Sequence, residues 1–263
     1  SAEEQAAFDV YDANNINPLY GFFVARAGLG ASESMRSKLA EYNDPRLSRA
    51  FITKQGASGK EQAPGTADNA VYAPNGTPEQ GTSKYGTSLF MYSISAPTLL
   101  LSYHELKFLE AEALCRLERD AKSALKDAVV AGLLNAENSF TISRKELGKT
   151  LINAASSITE AEAESYFNNT IEAKYTAEPL KTTMIQKYFA LWGASGEATE
   201  SYNDVRRMKG LGENFIELKN PNSFPLRCPY GNSDTTTNAE VKAAYGNGQY
   251  VYSENVWWAG GSR

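Results

Sequence analysis

Acid–base catalysis is the first chemistry that the residue types of this chain could support. His104 is the only histidine in the 263 residues, so any Ser–His–Asp or Cys–His arrangement must use it. It lies beside Glu105 near a predicted helix start, and the sequence has no Gly-x-Ser-x-Gly nucleophile signature. The sequence therefore favours a structural or surface role for His104 over a catalytic one.

Paired carboxylates are the second possibility, because hydrolysis of a sugar bond needs one protonated and one ionised acid on either side of it. Glu110 and Glu112 are two positions apart on a predicted helix and point to nearly opposite sides. Glu160 and Glu164 share a face, but Glu162 between them marks a solvated, acidic helix start. Exposed carboxylates keep ordinary pKa values and make poor general acids. We predict no catalytic residue and no enzyme.

Cofactor and metal motifs are incomplete. Gly28-Leu29-Gly30 lacks the third glycine and the preceding strand of a dinucleotide fingerprint. The acidic and amide residues near the start of the chain do not have the spacing of a calcium loop. Cys115 and Cys228 suit no metal site; we interpret them as two buried thiols, with a disulfide between them as the alternative. No cofactor and no metal are predicted.

Binding is better supported, because 15 tyrosines and three tryptophans supply flat apolar faces with polar edges. Most of these rings must be core, including Tyr103, Tyr188 and Trp192, which lie at helical spacing. Residues 56–96 differ, because glycine and proline alternate there in place of any helical or strand period. The aromatics of so long a loop either pin it to the body or face a ligand. The candidates for ligand contact are Tyr72, Tyr85 and Tyr92.

Composition excludes several classes of protein. A net charge of −5 and the absence of clustered Lys and Arg argue against nucleic acid as a partner. No apolar run approaches the roughly 20 residues that span a bilayer, and the 42% apolar content is that of an ordinary soluble globular chain.

The elements that would position these residues divide the chain into three stretches. Residues 1–96 are rich in loops, with residues 21–25 read as a buried strand or packed loop and residues 34–42 as a short helix. Residues 97–209 have helical periodicity, and residues 210–263 read as an ordered tail with little regular structure. Helices are predicted over about 98–118, 121–133, 159–175, 179–193 and 197–208.

The first two helices of the middle stretch define the fold class. Leu106, Leu109, Ala113 and Leu117 form one apolar stripe, which the next helix continues after a connection of only a few residues. Two helices joined so closely must be antiparallel, as in one tetratricopeptide unit. We therefore predict a mainly α fold of tetratricopeptide-like helical hairpins with extensive ordered loops.

Several motifs in fixed order resemble the SusD/RagB family. The tail carries Tyr202-Asn203-Asp204-Val205-Arg206-Arg207, then Phe224-Pro225-Leu226-Arg227-Cys228-Pro229-Tyr230, then Val256-Trp257-Trp258. Upstream, Asp44-Pro45-Arg46-Leu47 and the Ala-Glu-Ala of the first long helix, Ala111-Glu112-Ala113, fit the same pattern. The chain departs from it at Tyr230-Gly231-Asn232-Ser233-Asp234, where the family often has Tyr-Pro-x-x-Glu.

The resemblance implies a function. Members are outer-membrane lipoproteins that capture glycans at the cell surface and pass oligosaccharides to a SusC-like TonB-dependent transporter. They are about twice as long, so residues 1–263 would be a C-terminal portion, and the lipid anchor, the only contact with the membrane, would lie outside it. In starch-binding relatives the region of Tyr72, Tyr85 and Tyr92 contributes sugar-stacking aromatics. The arginine motifs are read as fold determinants and the tryptophan pair as an anchor of the tail.

Two alternatives stay open. Some members handle peptides in place of glycans, and a helical-repeat scaffold for protein–protein contact would need no small ligand. A sugar binder should show a cleft lined by loop aromatics, whereas a scaffold should present a bare helical surface.

Overall fold

The fold is known from a computed structural model, which describes residues 5–26, 30–55, 60–62, 72–76, 85–147, 156–194, 196–219 and 223–261. Much of the predicted ligand loop 56–96 therefore lies outside the described residues. The chain forms two compact units, Ser1–Leu218 and Lys219–Arg263. Among the described helices, none is long and apolar enough to cross a membrane.

The first unit contains eight described α-helices and five short described strands. The helices are α1 (Pro18–Arg26), α2 (Glu33–Glu41), α3 (Tyr103–Arg116), α4 (Lys122–Leu147), α5 (Glu160–Tyr166), α6 (Glu172–Ala177), α7 (Pro179–Leu191) and α8 (Glu200–Gly210). The strands are β1 (Ala6–Phe8), β2 (Phe51–Gln55), β3 (Lys60–Gln62), β4 (Thr87–Ser88) and β5 (Thr98–Leu101). The prediction of a mainly helical fold is confirmed.

The hairpin of α3 and α4 is the centre of this unit. Ser102 begins α3, because its hydroxyl oxygen accepts the backbone N–H of Glu105 at 3.0 Å. Helix α7 packs against both members of the hairpin. Gly132 permits the close approach of α4 to α7, since a Cβ at this position would lie 2.9 Å from Cβ of Ala190. The predicted tetratricopeptide-like packing is thus built around small residues.

The apolar stripe of α3 faces outward, contrary to its expected place in the hairpin core. Leu106, Leu109 and Leu117 are 52%, 41% and 63% exposed. The buried residues of α3 are instead His104, Glu105, Phe108, Ala111 and Glu112. Periodicity located the stripe but not the direction in which it faces. The inner face of α3 carries polar groups whose partners come from α7 and α8, and local sequence could not indicate these partners.

The predicted helix over 159–175 is interrupted. It begins as expected, with the hydroxyl of Thr159 accepting the backbone N–H of Glu162 at 3.2 Å. A π-helical turn, Phe167–Ile171, then separates α5 from α6. Both end residues of this turn, Phe167 and Ile171, are fully buried. The wider turn rotates the helix face, so that both side chains reach the core.

Residues 21–25 are part of α1 and not a strand or packed loop, so this prediction was wrong. Asn17 begins the helix, because its side-chain oxygen accepts the backbone N–H of Leu19 at 2.8 Å. Pro18 occupies the first helical position, where its missing N–H has no cost. The Asn-Pro pair is thus a helix start.

The loop after α2 is fastened by the Asp-Pro-Arg motif. Arg46 is 2% exposed and donates from Nε and Nη2 to the two carboxylate oxygens of Asp44 at 2.8 and 2.7 Å. Its Nη1 donates to the backbone carbonyl of Phe189 on α7 at 2.8 Å. Each nitrogen of the buried guanidinium therefore donates a hydrogen bond within the fold, so the motif is a fold determinant.

The second unit is small and partly helical, unlike the irregular tail expected. It contains α9 (Asn232–Thr237) and α10 (Ala239–Tyr245). Tyr230 stacks on Tyr245 with ring centroids 4.4 Å apart. Trp257 and Trp258 pack edge to face and are each 71% exposed. Their predicted role as an anchor stays a prediction.

Candidate functional site

Tyr72, like Tyr92, is only partly buried, whereas Tyr85, the third predicted ligand tyrosine, is buried. The half-buried ring of Tyr72 meets the buried ring of Phe51 edge to face, with centroids 5.3 Å apart. The guanidinium of Arg36 on α2 lies 5.4 Å from the centroid of Tyr72. Burial raises the pKa of the Tyr72 hydroxyl, although Arg36 opposes the shift. The phenol is therefore neutral at pH 7 and can both donate and accept a hydrogen bond.

Trp192 is the second half-buried ring on Phe51. It caps the C-terminal end of α7 and lies 5.3 Å from Phe51, centroid to centroid, at an interplanar angle of 34°. Its other side meets Phe90 edge to face at 5.1 Å. Phe90 in turn packs on Phe140 of α4 at 4.7 Å. We call Tyr72, Phe51 and Trp192 the aromatic platform; it is joined to α4 through Phe90.

Tyr85 and Tyr92 do not share the position of Tyr72. Tyr85 is only 7% exposed, so its ring mainly serves to pin the described end of the loop to the body. Tyr92 ends a 3₁₀ turn, Leu89–Tyr92, and packs edge to face on Phe23 of α1 at 5.1 Å. The described contacts place Tyr72 on the platform and Tyr92 in a separate aromatic pair with Phe23. The ligand role of all three tyrosines stays a prediction.

Polar groups surround Tyr72. The backbone of Ala73 bonds to Ala31 at 2.8 Å and to Glu33 at 3.0 Å, which fixes the stretch 72–76 against the start of α2. The hydroxyl of Ser32 donates to the side-chain oxygen of Asn75 at 3.0 Å. A flat ring beside a guanidinium, an amide and a hydroxyl is the combination that holds a sugar by stacking and hydrogen bonds.

A second concave region lies between α3 and α8, with a volume of about 510 Å³. Its charged groups already have partners. Glu112 accepts from Arg207 and Arg116, and Arg207 also donates to Asp204 at 2.8 Å. Lys187, which is 2% exposed, pairs with Asp204 at 2.8 Å. Arg207 of the family motif thus pairs with both Asp204 and Glu112, and the network joins α3, α7 and α8.

A buried pair of acids, Glu105 and Glu197, was not foreseen among the carboxylate candidates. Burial, then the hydrogen bond and charge of Glu197, raise the pKa of Glu105 to about 7. Glu105 and Glu197 are only 7% and 2% exposed, so a sugar bond cannot reach both of them, as hydrolysis would require. Adjacent His104 is held neutral, because burial and the charge of Arg46 lower its pKa to about 4.

Metal ligation has no support among the described residues. No group of three or more His, Cys, Asp or Glu side chains within them is placed to hold an ion. Cys115 is a half-buried free thiol and Cys228 an exposed one, so the expectation of two buried thiols was wrong. Burial raises the pKa of the Cys115 thiol.

The platform includes residues that sequence reasoning assigned to packing or did not consider. Trp192 lies at helical spacing and so was read as core, but it is the last turn of α7 that exposes part of its ring. Gly193 directly after it, at φ +78°, was the available signal of a helix end at an aromatic residue. Arg36 gave no signal, because its partner Tyr72 is far away in sequence.

Helical hairpins that carry ordered loops and a half-buried aromatic platform define a protein of the tetratricopeptide-like class. The family model described as "Starch-binding associating with outer membrane" matches residues 1–230. The chain therefore belongs to the SusD-like family, as its motifs predicted. Proteins of this family are binding proteins rather than enzymes, carbohydrate is the ligand class that its description names, and the family is associated with the outer membrane.

Solved structures agree with this assignment. A SusD/RagB family protein from Bacteroides thetaiotaomicron is 65% identical over the whole chain, with a TM-score of 0.89, and the chain covers 57% of it. A SusD homolog from Bacteroides fragilis is 18% identical, with a TM-score of 0.61; the match covers 94% of this chain and 56% of the homolog. A chitin-binding protein is 20% identical, with a TM-score of 0.60; the match covers 98% of this chain and 56% of the chitin-binding protein.

The last two likenesses show the fold alone, because identity is low. The chain spans little more than half the length of each of these structures. No curated protein matches the chain.

Proposed function

We propose that this chain forms part of a cell-surface protein that captures oligosaccharides without chemical change. The observation that carries the proposal is the aromatic platform, where half-buried Tyr72 and Trp192 flank buried Phe51 and the guanidinium of Arg36 lies over Tyr72. The accessible parts of the two rings can stack on sugar C–H groups while the guanidinium and Asn75 bond to hydroxyls. Tyr85 and Tyr92 would act mainly by holding the loop in place.

The remaining parts of the proposal come from the family. The captured oligosaccharide would pass to a SusC-like TonB-dependent transporter, and the full-length protein would be held at the outer membrane by a lipid anchor. The family description supports a location at the outer membrane. The chain would not be an enzyme, since the acids Glu105 and Glu197 are buried out of reach of a substrate bond.

One observation favours the alternative of a protein-binding scaffold or a peptide-binding member. The stripe of Leu106, Leu109 and Leu117 on α3 is exposed. An apolar helix face of this kind can take the apolar side of another helix or of a peptide. The two functions use different surfaces and can therefore be separated by mutation.

The test is calorimetric titration with a panel of starch, chitin and plant or host oligosaccharides, with products checked by chromatography. Tyr72→Ala and Trp192→Ala should each weaken binding about tenfold or more, since a lost stacking contact of about 1.4 kcal/mol corresponds to that factor. Tyr202→Ala, on the exposed face of α8, is the matched control and should bind normally. Thermal melting of each variant separates lost contacts from lost folding.

Each outcome has a defined meaning. Saturable binding without products, abolished only at the platform, supports capture. Binding that survives both platform variants would move the site elsewhere in the chain, and product formation would refute a role without catalysis. Binding of a peptide that Leu109→Glu abolishes would favour the scaffold.

A further inference from the structure

Arg36 brings a positive charge to the aromatic platform. It lies one turn after Ser32, the residue that caps α2, and its guanidinium is 5.4 Å from the ring centroid of Tyr72. The stretch that carries Tyr72 is fixed to the same helix start, because the backbone N–H of Ala73 donates to the carbonyl oxygen of Ala31 at 2.8 Å. The fold therefore holds the charge and the ring side by side.

The guanidinium of Arg36 has no carboxylate partner in the part of the chain that the structure describes. The other half-buried arginines Arg116 and Arg144 each form an ion pair with a glutamate. Arg36 is also half-buried, but its charge interacts with the Tyr72 side chain, and its Nε is buried without a hydrogen-bond acceptor among the described residues. Because a guanidinium is always charged and carries five N–H donors, this one keeps an unused capacity to bind an anion.

Asn75 presents further donors beside the platform. The hydroxyl of Ser32 accepts the backbone N–H of Met35 at 3.3 Å and donates to Oδ1 of Asn75 at 3.0 Å. The amide oxygen of Asn75 is thereby occupied, and no described residue accepts from its Nδ2. The surroundings of Tyr72 are therefore rich in hydrogen-bond donors, which suit a ligand group that only accepts.

Negative charge near Tyr72 is weak in comparison. The acid that acts on the phenol is Glu33, which is exposed on the first turn of α2 and forms no ion pair with Arg36 in the described structure. Solvent and salt screen an exposed carboxylate more strongly than a half-buried guanidinium. The platform should therefore attract an anionic ligand more strongly than a neutral or cationic one.

We propose that the aromatic platform selects acidic glycans, with Arg36 as the residue that binds the anionic group of the sugar, a carboxylate or a sulfate. This inference rests on the proposed function of the platform. The guanidinium donates parallel N–H bonds to the anion, while Asn75 donates to a hydroxyl and the rings of Tyr72 and Trp192 stack on the sugar. A neutral sugar keeps the stacking contacts but leaves the guanidinium without a counter-charge.

Three matched pairs of ligands test the preference for charge. They are an oligogalacturonide and its neutral methyl ester, sialyllactose and lactose, and a sulfated and an unsulfated oligogalactose. In calorimetric titration at least one acidic member should bind about tenfold or more tightly than its neutral partner, and the pair in which this occurs identifies the anion as carboxylate or sulfate. Raising the salt concentration from about 50 to about 500 mM should reduce this preference.

Arg36→Gln removes the charge and keeps an amide donor. It should weaken binding of the preferred acidic ligand about tenfold or more and change binding of the neutral partner less than about twofold. Arg36→Lys keeps the charge without the planar guanidinium and should bind with intermediate affinity. Arg206→Gln is the matched control, because Arg206 lies 5.7 Å from the ring centroid of Tyr202 on α8, and it should bind like the wild type. Thermal melting verifies that each variant folds; should the Arg36 variants not fold, the wild-type ligand pairs decide.

The outcomes separate this inference from the proposed function. Equal binding within all three pairs, or equal losses for both members of a pair in Arg36→Gln, would overturn the acidic preference and leave sugar capture standing. Oligoglutamate that binds through Arg36 as tightly as the acidic sugar would overturn sugar as the ligand class. Acidic-sugar binding that needs Arg36 but survives Tyr72→Ala and Trp192→Ala would support the anion contact and count against stacking. No binding by any sugar would overturn both proposals.

Discussion

Arg207 and Glu112 join α8 to α3. Nη2 of Arg207 donates to Oε2 of Glu112 at 2.8 Å, and its Nη1 bonds to the other carboxylate oxygen. Glu112 is only 5% exposed and is approached from its other side by Arg116. The bidentate pair therefore satisfies a carboxylate that burial would otherwise make costly.

The two arginines of the family motif should consequently differ in their contribution to stability. Arg207→Ala removes two charge-assisted bonds from Glu112 and should lower the free energy of unfolding by about 1–2 kcal/mol, a figure discounted for the partial exposure of the guanidinium. Arg206 lies on the exposed side with its guanidinium 5.7 Å from the ring centroid of Tyr202. Arg206→Ala should cost under about 0.5 kcal/mol. Urea denaturation of both variants distinguishes them, and equal losses would contradict the assigned roles.

The orientation of α3 gives a second prediction. Phe108 is fully buried, so Phe108→Ala should lower the free energy of unfolding by about 3–5 kcal/mol. Leu109, its direct neighbour in sequence, is 41% exposed, and Leu109→Gln should cost under about 0.5 kcal/mol. Chemical denaturation provides the comparison. A larger loss at Leu109 than at Phe108 would mean that the stripe faces the core as its periodicity first suggested.

The same helix shows what sequence can predict. Helix starts depend on local groups, so the starts predicted at residues 159 and 179 adjoin real boundaries. The start predicted at about residue 98 was wrong, because Thr98–Leu101 is strand β5 and α3 begins only after Ser102. On the inward face of α3, Glu112 depends on its local partner Arg116 and on Arg207, which approaches from α8 far along the chain. No local pattern can reveal that Glu112 is buried, because the second of these partners is supplied by tertiary packing.

The candidate site was predictable to a similar extent. Tyr72 was singled out from loop composition, and its ring is half-exposed beside Arg36. Tyr85 was selected by the same reasoning, but the structure shows it buried. Composition cannot distinguish an aromatic that pins a loop from one that faces solvent. Trp192 was predicted to be core from its helical spacing. Its place at the end of α7 leaves part of its ring accessible, which spacing alone could not indicate.

Acid should weaken the contact between α3 and α8. Burial alone would raise the pKa of Glu112, but the hydrogen bonds and charges of Arg207 and Arg116 outweigh it, and the pKa is lowered below 4.5. A lowered folded pKa contributes stability above the unfolded value, and this contribution is lost as pH falls through the folded one. Melting temperature measured from pH 6 to pH 3 should therefore fall more steeply in the wild type than in Glu112→Gln. Parallel curves would show that other carboxylates govern the acid transition.

Gly193 provides the sharpest test of how the platform is held. Its φ of +78° is unfavourable for a residue with a side chain, and a Cβ would lie 2.4 Å from the ring of Phe90. Gly193→Ala must therefore displace Phe90, on which Trp192 packs, and should lower the free energy of unfolding by more than about 2 kcal/mol. Gly210→Ala, in the last turn of α8 with no atom within 4 Å of its added Cβ, should be neutral or stabilising by up to about 1 kcal/mol. Guanidinium denaturation and the emission spectrum of Trp192, recorded with Trp257 and Trp258 replaced by Phe, measure both effects. An unchanged Trp192 spectrum in Gly193→Ala would show that the ring does not depend on Phe90 for its position.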